Sequence, residues 1–171
     1  MIIRKAEERD IPRIIELLGQ VLQIHADIRP DIFIPDTTKY TVDELTELLK
    51  NEEKPIFVAT NEADICVGYA FCQLREQPFS NNMVPFKSLF IDDLCVDQKT
   101  RGQHIGEKLF EYVKAEAKQM GRQVVACGLV QNHEVDVRCV QTLERFVNGG
   151  VAVVKIGPEL GFEKHVFAWQ V

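Results

Sequence analysis

The segment from Ser88 to Met120 constrains the fold most, because its residue pattern changes from strand-like to helical across a polar turn. Ser88 to Val96 is largely apolar, and Ile105 to Met120 carries apolar residues at helical spacing. Gly121 ends the predicted helix. Nearly every residue from Val124 to Val130 is apolar, which is typical of a strand buried on both faces. The segment therefore predicts a strand, a turn, a helix and a further strand.

The elements on either side complete a mixed α/β pattern. Before the segment lie a β-prone start, an amphipathic helix opened by Asp10 and Pro12, a helix with the capping box Thr41–Glu44, and a hairpin. A further helix and two closing strands follow it. These predicted elements cover 1–5, about 10–24, 41–49, 56–60, 65–74, about 135–147, 151–156 and 165–171. The order β-α-α-β-β-β-α-β-α-β-β predicts one domain over residues 1–171 with a mixed sheet.

Composition narrows the classes of function. A chain of 171 residues with 27% charged residues can bury one core. The net charge of −6, with Lys and Arg spread along the chain, argues against nucleic acid as a partner, because phosphate backbones need a concentrated basic face. Five cysteines without a C-x-x-C pair make a disulfide framework or a zinc site unexpected. Without a signal-like N-terminus or an apolar run of roughly 20 residues, we expect a soluble cytoplasmic protein that does not enter membranes.

The turn between the central strand and helix is the main candidate for chemistry. A helix N-terminus leaves unpaired backbone N–H groups, its dipole favours negative charge, and the site suits a pyrophosphate. Arg101 adds forked donors that suit phosphate, and Gly106 leaves room at the first helical turn. An ordinary strand-to-helix connection with a solvated arginine is the alternative. The strand, basic turn, second glycine and apolar helix occur in register, which favours the phosphate site.

These residues resemble the GNAT superfamily of acetyl-CoA-dependent N-acyltransferases. Its motif of Arg or Gln, two residues, Gly, any residue, then Gly or Ala is similar to Arg101-Gly-Gln-His104-Ile-Gly106, and Ile91-Asp-Asp-Leu-Cys-Val96 looks like the strand before it. His104 replaces the middle glycine; a backbone φ below zero would accommodate it, with the imidazole beside the pyrophosphate or in solvent. The resemblance implies an α/β acyl-CoA N-acyltransferase fold, in which helices flank a mixed central sheet that splays between the fourth and fifth strands.

The resemblance also implies a reaction and a cofactor site. The chain would transfer an acetyl group from acetyl-CoA, as co-substrate and without a metal, to a primary amine of a small molecule, a peptide or a lysine side chain. Pantetheine would pair with main-chain groups of the strand, as an added strand does. The implied cofactor-binding residues are Leu94, Cys95, Val96, Arg101, Gly102, Gln103, His104, Ile105, Gly106 and Asn132.

Acyl transfer needs a neutral amine, so one group must accept a proton and another must return one to the departing thiolate. Because side chains alternate along a strand, Asp92 and Asp93 are predicted to lie on opposite faces. The resemblance implies that Asp92 is the base, directly or through water; a structural carboxylate that accepts from a backbone N–H is the alternative. Asp93 is predicted to be structural or to orient the substrate.

The acid for the thiolate is not evident. Many relatives carry a tyrosine within Asn-x-x-Ala-x-x-Phe-Tyr; Asn132 fits the asparagine, but Val135 and Arg138-Cys139 occupy the later positions. A shifted register, with Phe146-Val147, supplies no tyrosine either. Cys139 could donate a proton, or it is an inert helix residue. The missing tyrosine keeps open a second hypothesis, a non-catalytic acyl-CoA-binding module or sensor.

The acceptor side is expected near the end of the first helix. By resemblance, His25, Arg29 and Phe33 are candidate substrate contacts together with Asp93, against the alternative of a helix-end histidine and a surface arginine. Tyr69 and Phe71 face either the acceptor or the core, and the core is the default. The expected partner is an amine acceptor. A homodimer is compatible with such a sheet, because exposed strand edges commonly pair.

Overall fold

The computed structural model describes residues 1–28, 30–76, 87–127 and 152–154. These residues form a sheet with the strand order β1-β2-β3-β4-β5-β6 and three α-helices. The strands are β1 (Ile2–Lys5), β2 (Ile56–Thr60), β3 (Cys66–Glu76), β4 (Lys87–Val96), β5 (Gln123–Cys127) and β6 (Ala152–Val154). The helices are α1 (Ile11–Ile28), α2 (Val42–Leu49) and α3 (Ile105–Gln119).

Strand direction changes once within the sheet. β1 to β4 pair antiparallel to their neighbours, whereas β4 with β5, and β5 with β6, are parallel. α3 is the crossover that two adjacent parallel strands require. The mixed sheet with flanking helices is thus confirmed, as are the hairpin and the central strand-turn-helix-strand order.

Boundaries differ in places from those predicted. α1 continues to Ile28, about one turn beyond the last apolar residue of the predicted stripe. β3 runs to Glu76, two residues past its apolar run, because its polar end still pairs with β4 at Lys87. The helix predicted near 135–147, the strand predicted at 165–171, and the ends of the strand predicted at 151–156 lie outside the described residues.

The helices cover both faces of the sheet. On one face α1 and α2 pack their apolar residues, including Leu17 and Leu45, against Val58 and Tyr69. On the other face α3 packs Val113 and its neighbours against Phe57 and other strand residues. Phe57 and Val58 are consecutive in β2, and their side chains pack into the cores on opposite faces of the sheet, as strand alternation requires. None of the helices in the described part of the chain is long and apolar enough to cross a membrane.

A β-bulge interrupts β4 at Asp92. Phe71 pairs with Asp93 and Cys72 pairs with Ile91, so Asp92 is an extra residue opposite β3. The pairing of β4 with the described part of β5 also ends here, at Ile91 opposite Ala126. A bulge bends its strand, so β4 changes direction at Asp92.

The prediction that Asp92 and Asp93 lie on opposite faces is wrong. The Nζ of Lys39 lies 3.2 Å from Oδ2 of Asp92 and 3.7 Å from Oδ2 of Asp93, so one ammonium contacts both carboxylates. The alternation of side chains holds only for a regular strand, and the extra residue at the bulge breaks it. The bulge thereby turns two adjacent acids toward the α1–α2 side of the sheet.

Candidate active site

A cleft opens where β4 turns into α3. Its volume is about 240 Å³. It is lined by Val96, Arg101, Gly102, His104, Ile105 and Gly106. Six of the ten residues predicted to bind a cofactor are therefore brought together around one open space. A larger hollow of about 440 Å³ runs along α2 between Asp43, Glu44, Glu47, Leu48 and Asn51, but its acidic side chains do not suit a phosphate.

Backbone N–H groups at the mouth of α3 are free to bind a ligand. Within the described residues, none of the N–H groups of 102–107 donates a hydrogen bond to the protein. His104, the residue before the helix, supplies no side-chain cap. Unsatisfied donors at a helix N-terminus, together with the helix dipole, favour an anion. The open cleft thus lies beside backbone N–H groups that are available to an anionic ligand.

His104 adopts a conformation that sequence reasoning did not expect. The prediction of a φ below zero is wrong: His104 has φ 58° and ψ 25°, in the left-handed region that favours glycine. Gly102, with φ 83°, also lies at positive φ. The two residues reverse the chain into α3 and need this geometry whatever their side chains. The imidazole faces solvent, with 74% of the side chain exposed and Nδ1 3.0 Å from Oε2 of Glu107.

Arg101 stands at the entrance of the cleft. Its Nε donates to the carbonyl oxygen of Val96 at 3.4 Å, and the side chain is otherwise exposed. Gln103 is exposed on the same turn. A Cβ added to Gly106 would lie 3.5 Å from Val96 and 3.7 Å from Leu94, so the first turn of α3 packs directly on β4. Arg101 is therefore tied by its Nε to the end of β4, just before the turn into α3.

Leu94, Cys95 and Val96 form the end of β4 beside the cleft. Their neighbours on β3 are Ala70, Tyr69 and Gly68. On the other edge of β4, no described residue of β5 pairs with them. Strand-like binding of an extended ligand to that edge stays a prediction, because residues 128–130 lie outside the described residues. Gly68, which sequence reasoning missed, allows β3, β4 and α3 to approach one another closely, because a Cβ there would lie 2.9 Å from the oxygen of Cys95 and 3.1 Å from Leu109.

The acidic pair lies four residues upstream, at the bulge. The side chain of Asp92 is 48% exposed, whereas that of Asp93 is 7% exposed. The hydroxyl of Tyr69 donates to Oδ2 of Asp93 at 3.4 Å, and Oδ1 of Asp93 is buried with no hydrogen-bond partner among the described residues. Burial raises the pKa of Asp93, although Lys39 opposes this. One acid is thus accessible and the other is held in the interior.

Lys39 completes this site and has no local sequence signal. It precedes Tyr40 and the capping box of α2, and lies 53 residues from Asp92 in the chain. Its Nζ also lies 5.4 Å from the ring centroid of Tyr40 and 6.0 Å from that of Phe71. Partial burial by itself would lower the pKa of Lys39, but the charge of Asp93 and further interactions outweigh it and raise the pKa.

His25 and Phe33, two of the predicted substrate contacts, lie together. Their ring centroids are 4.9 Å apart with an angle of 37° between the planes. Nε2 of His25 is buried with no partner among the described residues. Burial lowers the pKa of His25, although the charge of Asp93 opposes this.

The remaining candidates divide between the core and the undescribed parts of the chain. Tyr69 and Phe71 are buried, with ring centroids 5.0 Å apart, although the Tyr69 hydroxyl reaches Asp93. Arg29, Asn132 and Cys139 lie outside the described residues. No group of three His, Cys, Asp or Glu in the parts that the structure describes could hold a metal ion.

Comparison with known proteins identifies the arrangement. The sequence model of the acetyltransferase (GNAT) family matches residues 19–140. No curated protein sequence matches. A tetramutant of a Bacillus halodurans protein has a similar structure, with a TM-score of 0.78 and 23% identity over 97% of this chain and 100% of that one. Glucosamine-6-phosphate N-acetyltransferase from Arabidopsis thaliana matches with a TM-score of 0.60 and 22% identity, over 96% of this chain and 97% of that one. An aminoglycoside 6'-N-acetyltransferase from Acinetobacter baumannii matches with a TM-score of 0.60 and 14% identity, over 97% of this chain and 99% of that one.

Proposed function

The chain belongs to the acetyltransferase (GNAT) family, and from that premise we propose that it moves the acetyl group of acetyl-CoA to a primary amine. The acceptor is a small molecule, a peptide or a lysine side chain, and its nitrogen attacks the thioester directly. The observation that carries this proposal is the cleft at the start of α3, where Arg101 and N–H groups that donate to no described residue lie beside the end of β4. The acidic pair stands four residues back along the same strand.

The residues around the cleft fit acetyl-CoA as a co-substrate. The N–H groups of residues 102–107 and the guanidinium of Arg101 would hold its pyrophosphate. The main chain of Leu94 to Val96 would pair with its pantetheine arm. From Val96 back to Asp92 a strand spans about 13 Å, so an extended arm that follows β4 leads from the turn to the acidic pair. Acetyl-CoA supplies the acetyl group as a thioester; the chain orients it and handles protons.

Asp92 is proposed as the group that takes a proton from the acceptor ammonium. It lies at the bulge of β4, and its side chain is half exposed. The hydrogen bond from Lys39 at 3.2 Å supports this role, because it shows that an ammonium fits against Oδ2 of Asp92. Asp93, with its raised pKa and buried position, would hold the site in shape and orient the acceptor.

Two of the similar structures are named for acetylation of glucosamine 6-phosphate and of aminoglycosides. Both acceptors are amines, but they differ in charge and size, and at this level of identity the similarity supports the fold rather than the acceptor. We therefore propose a primary amine as the acceptor and no single compound. The acidic pair favours acceptors that arrive as cations.

Thiol release from acetyl-CoA in the presence of polyamines, amino sugars, amino acids and peptides tests the proposal. At least one amine should release thiol faster than a blank without amine. Arg101→Ala should weaken CoA binding on the order of tenfold with kcat nearly kept, because a phosphate contact contributes about 1–3 kcal/mol. Asp92→Asn should lower kcat while CoA affinity is kept.

The matched control for the arginine is Arg9→Ala, which removes an exposed guanidinium that pairs with Glu7 and Asp64 far along the chain from the turn. It should leave CoA affinity unchanged. If Arg101→Ala binds CoA as tightly as Arg9→Ala does, the assignment of the phosphate site is wrong. If the protein binds CoA but no amine releases thiol, the transfer reaction itself is contradicted.

A further inference from the structure

Lys39 occupies the place at which an acceptor amine is expected. Its Nζ donates to Oδ2 of Asp92 at 3.2 Å and lies 3.7 Å from Oδ2 of Asp93. The same ammonium lies over the rings of Tyr40 and Phe71, with Nζ 5.4 and 6.0 Å from their centroids. Two carboxylates and two rings thus surround a primary amine beside the proposed base. Its side chain is 43% exposed, which leaves one side open.

The chain on both sides of Lys39 is fixed, so this position is not an accident of a free side chain. The Thr38 hydroxyl donates to the carbonyl oxygen of Tyr40 at 2.8 Å. The Tyr40 ring stacks on Phe71, with centroids 5.7 Å apart and 14° between the planes. Thr41 then opens α2 with a reciprocal capping box to Glu44. A nucleophile held in this way reacts at a high effective concentration.

On the basis of the proposed function, we infer that Lys39 is a modification site of this enzyme, whose Nζ accepts the acetyl group from acetyl-CoA bound to the same chain. Asp92 takes one proton from the Lys39 ammonium, and the freed lone pair attacks the thioester carbonyl carbon. The N–C bond forms and the C–S bond breaks with its electron pair going to sulfur. The remaining excess proton on nitrogen passes to the thiolate, so that free CoA thiol and a neutral amide are the products.

Chemical acetylation without catalysis would modify a different set of lysines. Unassisted acetylation by a thioester needs free amine, and the raised pKa of Lys39 leaves little of it near neutral pH. Lys39 would then be among the slower lysines to react. Selective modification of Lys39 therefore reports on the site rather than on exposure.

The test is incubation of the purified full chain with acetyl-CoA and no added amine, followed by intact-mass and peptide-mapping mass spectrometry. We expect one acetyl group, on Lys39, gained at least on the order of tenfold faster than at other lysines. The fraction modified per unit time should not change on tenfold dilution of the protein, because the reaction is within one chain. Lys39→Arg should abolish the modification and Asp92→Asn should slow it.

Lys50 provides the matched control, since its ammonium also meets a carboxylate, Glu47, at 2.7 Å, but on the exposed end of α2. Lys50→Arg should leave the acetylation of Lys39 unchanged. Equal acetylation of Lys39 and Lys50, or a rate that rises with protein concentration, overturns self-acetylation in cis. An enzyme that acetylates added amines yet leaves Lys39 unmodified overturns this inference alone. A protein that leaves Lys39 unmodified and also releases no more thiol with any added amine than without one contradicts the proposed function as well.

Discussion

His104 is the residue at which the turn carries most backbone strain. A residue with a Cβ in the left-handed region costs about 1–2 kcal/mol relative to the right-handed one, and glycine is exempt from this cost. The side chain offers little in return, because it is exposed and contacts only Glu107 among the described residues. The strain is therefore held in place by the path of the chain from β4 into α3.

We predict that His104→Gly stabilises the protein by about 0.5–1 kcal/mol, after the entropy that glycine loses on folding is subtracted. Urea unfolding of both proteins measures this change. Gln103→Gly is the control one residue earlier, where φ is not positive, and it should destabilise by about 0.5 kcal/mol. A loss of stability in both variants would contradict the strain at His104.

Gly68 sets the distance between β3, β4 and α3. A Cβ at this position would meet the Cys95 oxygen at 2.9 Å and Cδ1 of Leu109 at 3.1 Å, and neither the strand nor the helix core can yield easily. Gly19 in α1 is the opposite case, because a Cβ there meets nothing within 4 Å. One glycine is required by packing and the other is not.

Gly68→Ala should therefore lower the free energy of unfolding by about 1–3 kcal/mol, as overpacking does. Gly19→Ala should raise it by about 0.5–1 kcal/mol, because alanine favours the helix. Denaturant unfolding of the pair measures both signs at once. Because Cys95 lies on the strand that borders the cleft, Gly68→Ala should also weaken CoA binding, whereas Gly19→Ala should not. Equal effects of the two changes would show that the close approach at Gly68 is not what matters.

The elements that the sequence predicts well are those with local signals. The capping box at Thr41, the apolar stripe of α3 and the Arg101–Gly106 turn each depend on residues within a few positions of one another. The bulge at Asp92 has no such signal, because it is set by how β3 and β4 align. Without it, strand alternation places the two acids on opposite faces, and the shared site is missed.

Contacts between distant segments are the other part that sequence reasoning missed. Lys39 meets Asp92 only because the segment between α1 and α2 brings it to the bulge in β4. The reason for a glycine at position 68 is likewise visible only in the folded protein, where Cys95 and Leu109 leave no room for a Cβ. The prediction for His104 was wrong for a related reason: a residue with a Cβ favours negative φ, whereas the path of the turn requires a positive φ. Tertiary geometry decided each case.

At the scale of the whole molecule, Asp97 joins the two halves of the site. It follows β4 and precedes the turn, and its carboxylate accepts from Arg13 and Gln20 of α1 and from the N–H of Lys99. Its own N–H donates to Val67 of β3 at 2.9 Å. One buried acid thus links α1, the sheet and the turn that borders the cleft.

Asp97 should also make stability depend on pH. Burial by itself would raise the pKa of Asp97, but the hydrogen bonds from Lys99 and Gln20 and the charge of Arg13 outweigh it and lower the pKa from its usual value. An acid with a lowered folded-state pKa contributes stability that is fully present above its unfolded pKa, near 4, and is lost as pH falls through the lower folded value. Protonation in the folded state would release Arg13 and loosen the start of the turn.

We predict that Asp97→Asn lowers the free energy of unfolding by about 1–3 kcal/mol at pH 7, because it leaves Arg13 half-buried without this charge partner. The difference from the original protein should shrink as pH falls below the unfolded value of about 4 and through the lower folded value, because Asp97 itself then becomes neutral. Urea unfolding across this pH range measures the difference. Glu62→Gln, in the exposed turn between β2 and β3, is the control and should change stability by less than about 0.5 kcal/mol at every pH. A deficit in Asp97→Asn that stays constant as pH falls well below about 4 would mean that Asp97 acts through its shape rather than its charge, and that the link between α1 and the turn is not an ion pair.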